Sequence, residues 1–178
     1  MTRTPELALV PWPLLLLLAA CPDDGSNEVP PGGAFEHDPA CMLDAPLAIE
    51  IGDGTLGFGA LDPGEGPMVH FGSQGGQHMF VGVRIGGLAL DRYDRVLVEA
   101  AWYERAQCPT LGVPCSGEVS AHEVWVLGDV APLHPVDAHT IEQDGMRLYL
   151  EYGGEIVLQV RAEDPCGQQG LAQIAFSY

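Results

Sequence analysis

The residues best placed to do chemistry lie in one stretch, HFGSQGGQHMFVGVRIGG, which runs from His70 to Gly87. Two imidazoles flank a run of glycine and glutamine. A third, His122, stands in SAHEVWVLG. Imidazole suits Zn²⁺ and Cu²⁺, and Met68 and Met79 are soft neighbours of the pair. His70, His78 and His122 are therefore the candidate metal ligands. No HxH, HExxH or Cys-His-Met string fixes their spacing. The competing reading is a hairpin whose histidines hydrogen-bond to backbone and cap a sheet. On either reading Gln74, Gly75, Gly76, Gln77 and His78 form the candidate binding loop.

Other chemistries find less support. The chain has no lysine, and its seven bases are all arginine. That removes Schiff-base catalysis, a P-loop and a Ser-Lys pair. The glycines lead into a strand pattern rather than a helix, so they do not cradle phosphate. Ser73 sits in GSQGG, not in a G-x-S-x-G elbow. Glu99, Glu123 and Glu151 could be paired for glycoside cleavage. With 25 acids in the chain, any such choice is at chance level. Asp91, Asp94, Asp129, Asp137 and Asp164 lack a D-x-D-x-D-G loop that would point to Ca²⁺. The expectation is no catalytic residue, no cofactor and a protein that is not an enzyme. Trp102, Tyr103 and Trp125 are the candidates for a glycan or peptide platform. Trp102 shares parity with Val96 and Val98 and is expected in the core, whereas Tyr103 shares parity with Glu99 and is expected on the surface.

The elements that must position these residues repeat every two positions. In EIVLQVRAE, Ile156, Leu158, Val160 and Ala162 alternate with Glu155, Gln159, Arg161 and Glu163. In MRLYLEY, Met146, Leu148, Leu150 and Tyr152 take the inner face. After Gly75-Gly76, which suit a tight turn, Met79, Val81, Val83 and Ile85 alternate with His78, Phe80, Gly82 and Arg84. Gly/Pro/Asp turns separate these runs, and no later stretch has helical periodicity. The pattern predicts an all-β, antiparallel β-sandwich of about seven to nine strands. The tail LQVRAEDPCGQQGLAQIAFSY resembles the last hairpin of bacterial Ig-like domains, with Asp164 and Gly167 in its D-x-x-G. The resemblance implies Ig-like strands at 47–58, 78–86, 95–104, 119–127, 146–152, 155–163 and 171–177. His122 then begins the fourth strand, near the end that carries His70 and His78.

The first residues read as an export signal. MTRTPELALVPWPLLLLLAAC has Arg3, then an apolar run from Leu7 to Ala20 that is too short for a comfortable membrane span. Leu18-Ala19-Ala20-Cys21 resembles the bacterial lipobox, which implies acylation of Cys21. Residues 1–20 are read as the lipoprotein signal, 21–42 as a Pro/Gly/acid-rich tether and 43–178 as the β-sandwich domain. Pro22 follows the cysteine where an inner-membrane retention signal has aspartate, so the outer membrane or cell surface is favoured. Gly72, Gln74, Gly75, Gly76 and His78 resemble a G-x-Q-G-G-x-H motif of predicted myxobacterial lipoproteins, which implies the same localisation.

Charge and cysteines narrow the partners. The formal net charge is −18, and Arg3 and Glu6 cancel within the signal. Such a chain does not suit nucleic acid, which needs a basic patch. The expected partners are the membrane, through the lipid, and a protein or glycan of the cell envelope. Beyond Cys21 stand Cys41, Cys108, Cys115 and Cys166. An even number in an exported chain predicts disulfides, and four cysteines allow three pairings. Cys108 and Cys115 bracket the short loop PTLGVP, which leaves Cys41 for Cys166. A thiolate metal site would lack any CxxC spacing. The Ig-like strand order also brings Cys41 to the turn that holds Cys166. The function expected is a lipid-anchored, non-enzymatic binding or structural module, and the alternative is a Zn/Cu-binding envelope protein. Mass spectrometry of the mature amino terminus is expected to find an acylated Cys21 as the first residue. An unmodified Cys21 would contradict the lipobox reading.

Overall fold

The computed structural model describes residues 37–41, 45–73, 75–129, 131–151 and 153–178. Cys21, Gln74 and Tyr152 lie outside the described residues. The chain forms two antiparallel sheets packed face to face. One contains β1 (Ala48–Asp53), β2 (Gly59–Ala60), β3 (Val69–Phe71), β4 (Gln77–Gly86) and β7 (Thr140–Leu150). The other has the order β6 (Ala121–Leu127), β5 (Val96–Glu104), β8 (Glu155–Glu163) and β9 (Gln169–Ser177).

β4 is the seam of the first sheet. Met79, Val81, Val83 and Ile85 are fully buried, as their alternation requires. They meet Val96, Val98, Ala100 and Trp102 of β5 and Leu158 and Val160 of β8 in one core. Trp102 belongs to this core, and its indole N–H donates to the Tyr149 carbonyl at 2.7 Å. β7 pairs along one edge of β4 from Gln77 to Gly86. β1 and β3 divide the other edge, β1 pairing from Val81 to Gly86 and β3 from Gln77 to Met79.

β7 starts earlier than the sequence pattern suggests, at Thr140. Val81 pairs with Met146 but Val83 pairs with Gln143, so Asp144 and Gly145 together oppose Gly82. This bulge changes the inward parity from Ile141 and Gln143 to Met146, Leu148 and Leu150. Gly145 has φ +79°, and its N–H donates to the Gly54 carbonyl at 3.2 Å. Gly54 lies against Gly82, which points away from the core. A Cβ on Gly82 would stand 2.6 Å from the Asp53 carbonyl oxygen. Glycine here lets the chain after β1 lie across the outside of the sheet.

β6 pairs with β5, Leu97 facing Val126 and Ala101 facing His122. The fourth strand of the expected order thus joins the β5–β8–β9 sheet and pairs with none of β1, β4 and β7. Part of the outer face of that sheet is covered by the loop after β5, which opens with the short 3-10 turn Arg105–Gln107. Ala101, Tyr103, Cys108 and Val157 form a second small core there, with Cys115, Val119 and Ala175 against it. Tyr103 is 5% exposed, which corrects the surface position expected from its parity. Its face of the strand does point outward, but the loop closes over it.

Disulfides join Cys41 to Cys166 and Cys108 to Cys115, with Cα separations of 5.0 and 4.7 Å. Beside the first, Asp38 N–H donates to the Pro165 carbonyl and His37 meets Glu163. Residues 37–41 thus pack on the domain, although the tether was expected to reach 42. Asp164 is fully buried. Its carboxylate accepts from the Tyr93 hydroxyl at 2.6 Å and the Gln168 amide at 2.9 Å. The D-x-x-G turn is thereby fixed, with Gly167 at φ +82°.

The two bridges span 125 and 7 residues. The chain-entropy account gives about 5 kcal/mol for the long loop and about 2 kcal/mol for the short one. Chemical denaturation of C41S/C166S and C108S/C115S is expected to reproduce that order, the first pair losing more. Equal losses, or a larger loss for the short bridge, would contradict it.

Candidate functional site

The outward residues of β3, β4 and β7 carry the candidate site. Val69, Met79 and Leu148 point into the core, so their neighbours in sequence point out. His70 is the direct cross-strand partner of His78, and His78 of Tyr149. The two imidazoles stack with centroids 5.7 Å apart and planes at 22°. Phe80 meets both edge-on, at 5.4 Å from His70 and 5.1 Å from His78. Tyr149 lies 6.4 Å from His78 and is 56% exposed. The Arg147 guanidinium lies over the Tyr149 ring at 4.7 Å. The result is a file of four rings capped by an arginine, with Tyr149 at its open end.

The chain between β1 and β3 holds this cluster in place. Asp53 ends β1, and its carboxylate accepts from the amides of Thr55 at 2.8 Å and Met68 at 2.6 Å. It therefore ties both ends of the 54–68 segment. Burial pushes the Asp53 carboxyl up, but these amide hydrogens, the Thr55 hydroxyl and His70 outweigh it and hold it below the usual carboxylate range. Thr55 Oγ1 in turn hydrogen-bonds His70 Nε2 at 3.0 Å, which orients the first ring. Further along the same face, Arg84 bridges Glu50 and Glu142 at 2.7 and 2.6 Å. Its guanidinium also lies 4.3 Å over Phe58.

The structure brings together two of the three proposed metal ligands. His70 and His78 are adjacent. His122 stands on β6 beside Ala101, on the outer face of the other sheet. No group of three His, Cys, Asp or Glu among the described residues could hold a metal ion. Met79 is fully buried in the core and Met68 is exposed. Of the binding loop, Gly75 takes the turn with φ +87°. Gly72 and Gly76 close it by a 2.7 Å backbone hydrogen bond. Gly76 itself needs no positive φ. Sequence reading passed over Tyr149 and Arg147. Their signal was the MRLYLEY alternation, which puts Arg147 and Tyr149 on the outer face.

No protein-family model matches the chain, and no curated protein or solved structure matches it significantly.

Partial burial pushes the His78 imidazole down from its ordinary value, helped by Arg147 and then by His70. The folded ring therefore takes its proton at a lower pH than the unfolded one. Its contribution to stability is fully present above about pH 6.5 and is lost as pH falls through the folded midpoint. Arg147→Gln removes the neighbouring cation. In an NMR titration of the imidazole protons, the His78 midpoint is expected to rise in this variant. An unchanged midpoint would contradict the placement of Arg147.

Proposed function

We propose that this protein is a lipid-anchored binding module of the cell envelope, held at the outer membrane or cell surface, and that it catalyses no reaction. Its contact surface is the outer face of β3, β4 and β7, and its partner is a protein or glycan of the envelope. One observation carries the reading. Tyr149 and Arg147 stand at the open end of a ring cluster on one sheet face. Tyrosine and arginine are enriched where proteins make energetic contacts, tyrosine because its ring is a broad, rigid surface and arginine because its planar guanidinium makes directed hydrogen bonds and stacks on rings. Arg147 is exposed, with its guanidinium over the Tyr149 ring. On the other sheet the loop after β5 covers the outward aromatic, Tyr103, together with Val157.

Photo-crosslinking in the producing cell tests the surface. A photoreactive residue in place of Tyr149 is expected to give a discrete crosslinked species. The same residue in place of His122, exposed on the other sheet, is expected to give none. Equal labelling at both positions, or none at 149, would contradict the assignment.

A further inference from the structure

β9 is an edge strand. The chain entering β1 covers its start, where Gly170 lies against Leu47 and Ile49, and beyond that point β9 carries no guard in its own sequence. Proteins guard such edges with charge, proline or a bulge, because an exposed row of N–H and C=O groups invites a further strand. β9 pairs with β8 without interruption from Gln169 to Ser177 and contains no charged residue and no proline. Gly154 and Tyr178 exchange both backbone hydrogen bonds, and Asp164 N–H donates to Gln168. The even-numbered residues of β9 therefore bond to β8, and the odd-numbered ones face the open side. The Gln169 carbonyl there is taken by Leu47 N–H. Leu171, Gln173, Ala175 and Ser177 turn their backbone groups outward. Ala172 and Ile174 pack toward the core yet are only half-buried, whereas their partners Val160 and Leu158 on β8 are fully buried.

Charge says what can come there. The chain carries −18, so two copies repel over most of their surfaces. Residues 165–178 contain no charged side chain, and neither do residues 106–117. These two stretches are joined by Gln173, whose side chain accepts from Gly112 N–H and donates to the Val113 carbonyl, both at 2.7 Å. Beside the strand, Leu111 is 42% and Val113 is 52% exposed. A neutral stretch, apolar in part, thus borders one side of the strand edge on a strongly acidic molecule, while Gly66 lies against Phe176 and Leu47 against Gly170 on the other.

We propose that β9 is a pairing edge, on which a second copy of this chain lays its own β9 antiparallel across a twofold axis. An antiparallel strand pair is self-complementary, as an isologous contact requires. Two four-stranded sheets then join into one continuous sheet, and Leu111 and Val113 of each copy flank the seam. The face proposed to bind a partner stays outside this contact.

Sedimentation equilibrium of the full chain in density-matched non-ionic detergent tests the pairing. Wild type is expected to sediment at twice the chain mass. Leu171→Pro removes an outward N–H and no bond to β8, and is expected to give the single-chain mass with unchanged near-ultraviolet circular dichroism. Val113→Asp alters only an exposed side chain of the flanking loop. It places like charges at the seam and is expected to give the single-chain mass as well. It decides the matter should the proline variant fail to fold, and it leaves the lipid anchor untouched. A wild-type chain that stays single up to its solubility limit would overturn the proposal and leave the edge to an extended segment of another protein. A double-mass species that survives Val113→Asp would overturn it too.

Discussion

The structure depends on burying one face of β4. Met79, Val81, Val83 and Ile85 are each without exposure, and the side chains of an unbulged strand alternate between its two faces. A slip of one residue would turn all four to water. Each removes one branched or long apolar side chain from solvent, at about 1.5–3 kcal/mol apiece, so the register is strongly held. Fixing that face also fixes the opposite one. His78, Phe80, Gly82 and Arg84 must point out. The histidine stack, the crossing of the Gly54 chain over Gly82 and the Arg84 bridges all follow from one choice of phase.

The two outer faces then diverge. On the β5–β8 side, a disulfide-closed loop folds back and hides Tyr103, Val157 and Gln159. Gln159 keeps its hydrogen bonds there, accepting from Cys115 N–H at 2.9 Å and from Gln173 at 2.8 Å. On the β4 side, the chain between β1 and β3 covers only the middle of the sheet and leaves the ring cluster open beyond it. Asp53 and Thr55 are the means of that division, since they tie the segment down just before His70. The reading of a binding module rests on this asymmetry.

Much of the fold was legible in the sequence because period-two alternation is a local signal. β4, β5 and β8 follow it closely, and the D-x-x-G turn stands where Asp164 and Gly167 put it. The cysteine pairs followed from a short loop and from elimination. The failures share a different cause. Which sheet receives β6 depends on how two hairpins stack, and no residue between 119 and 127 encodes that. His122 was therefore grouped with His70 and His78 but lies on the far side of the sandwich. Tyr103 was misplaced because a loop of Pro, Gly and Cys gives no periodic sign that it will fold back. The early half of β7 was missed because the Asp144-Gly145 bulge breaks the alternation that reveals strands. The Tyr149–Arg147 end of the cluster was present in MRLYLEY, but only the strand pairing brings it to His78.

The central claim is the phase of β4, which sets His78 beside His70, Phe80 and Tyr149 and away from the core. A NOESY spectrum of the aromatic and imidazole ring protons tests it most directly. The account predicts cross-peaks from His78 to His70, Phe80 and Tyr149, and none from His122 to any of them. Cross-peaks from His78 to Trp102 or Leu148 would place it inside the sandwich and contradict the account.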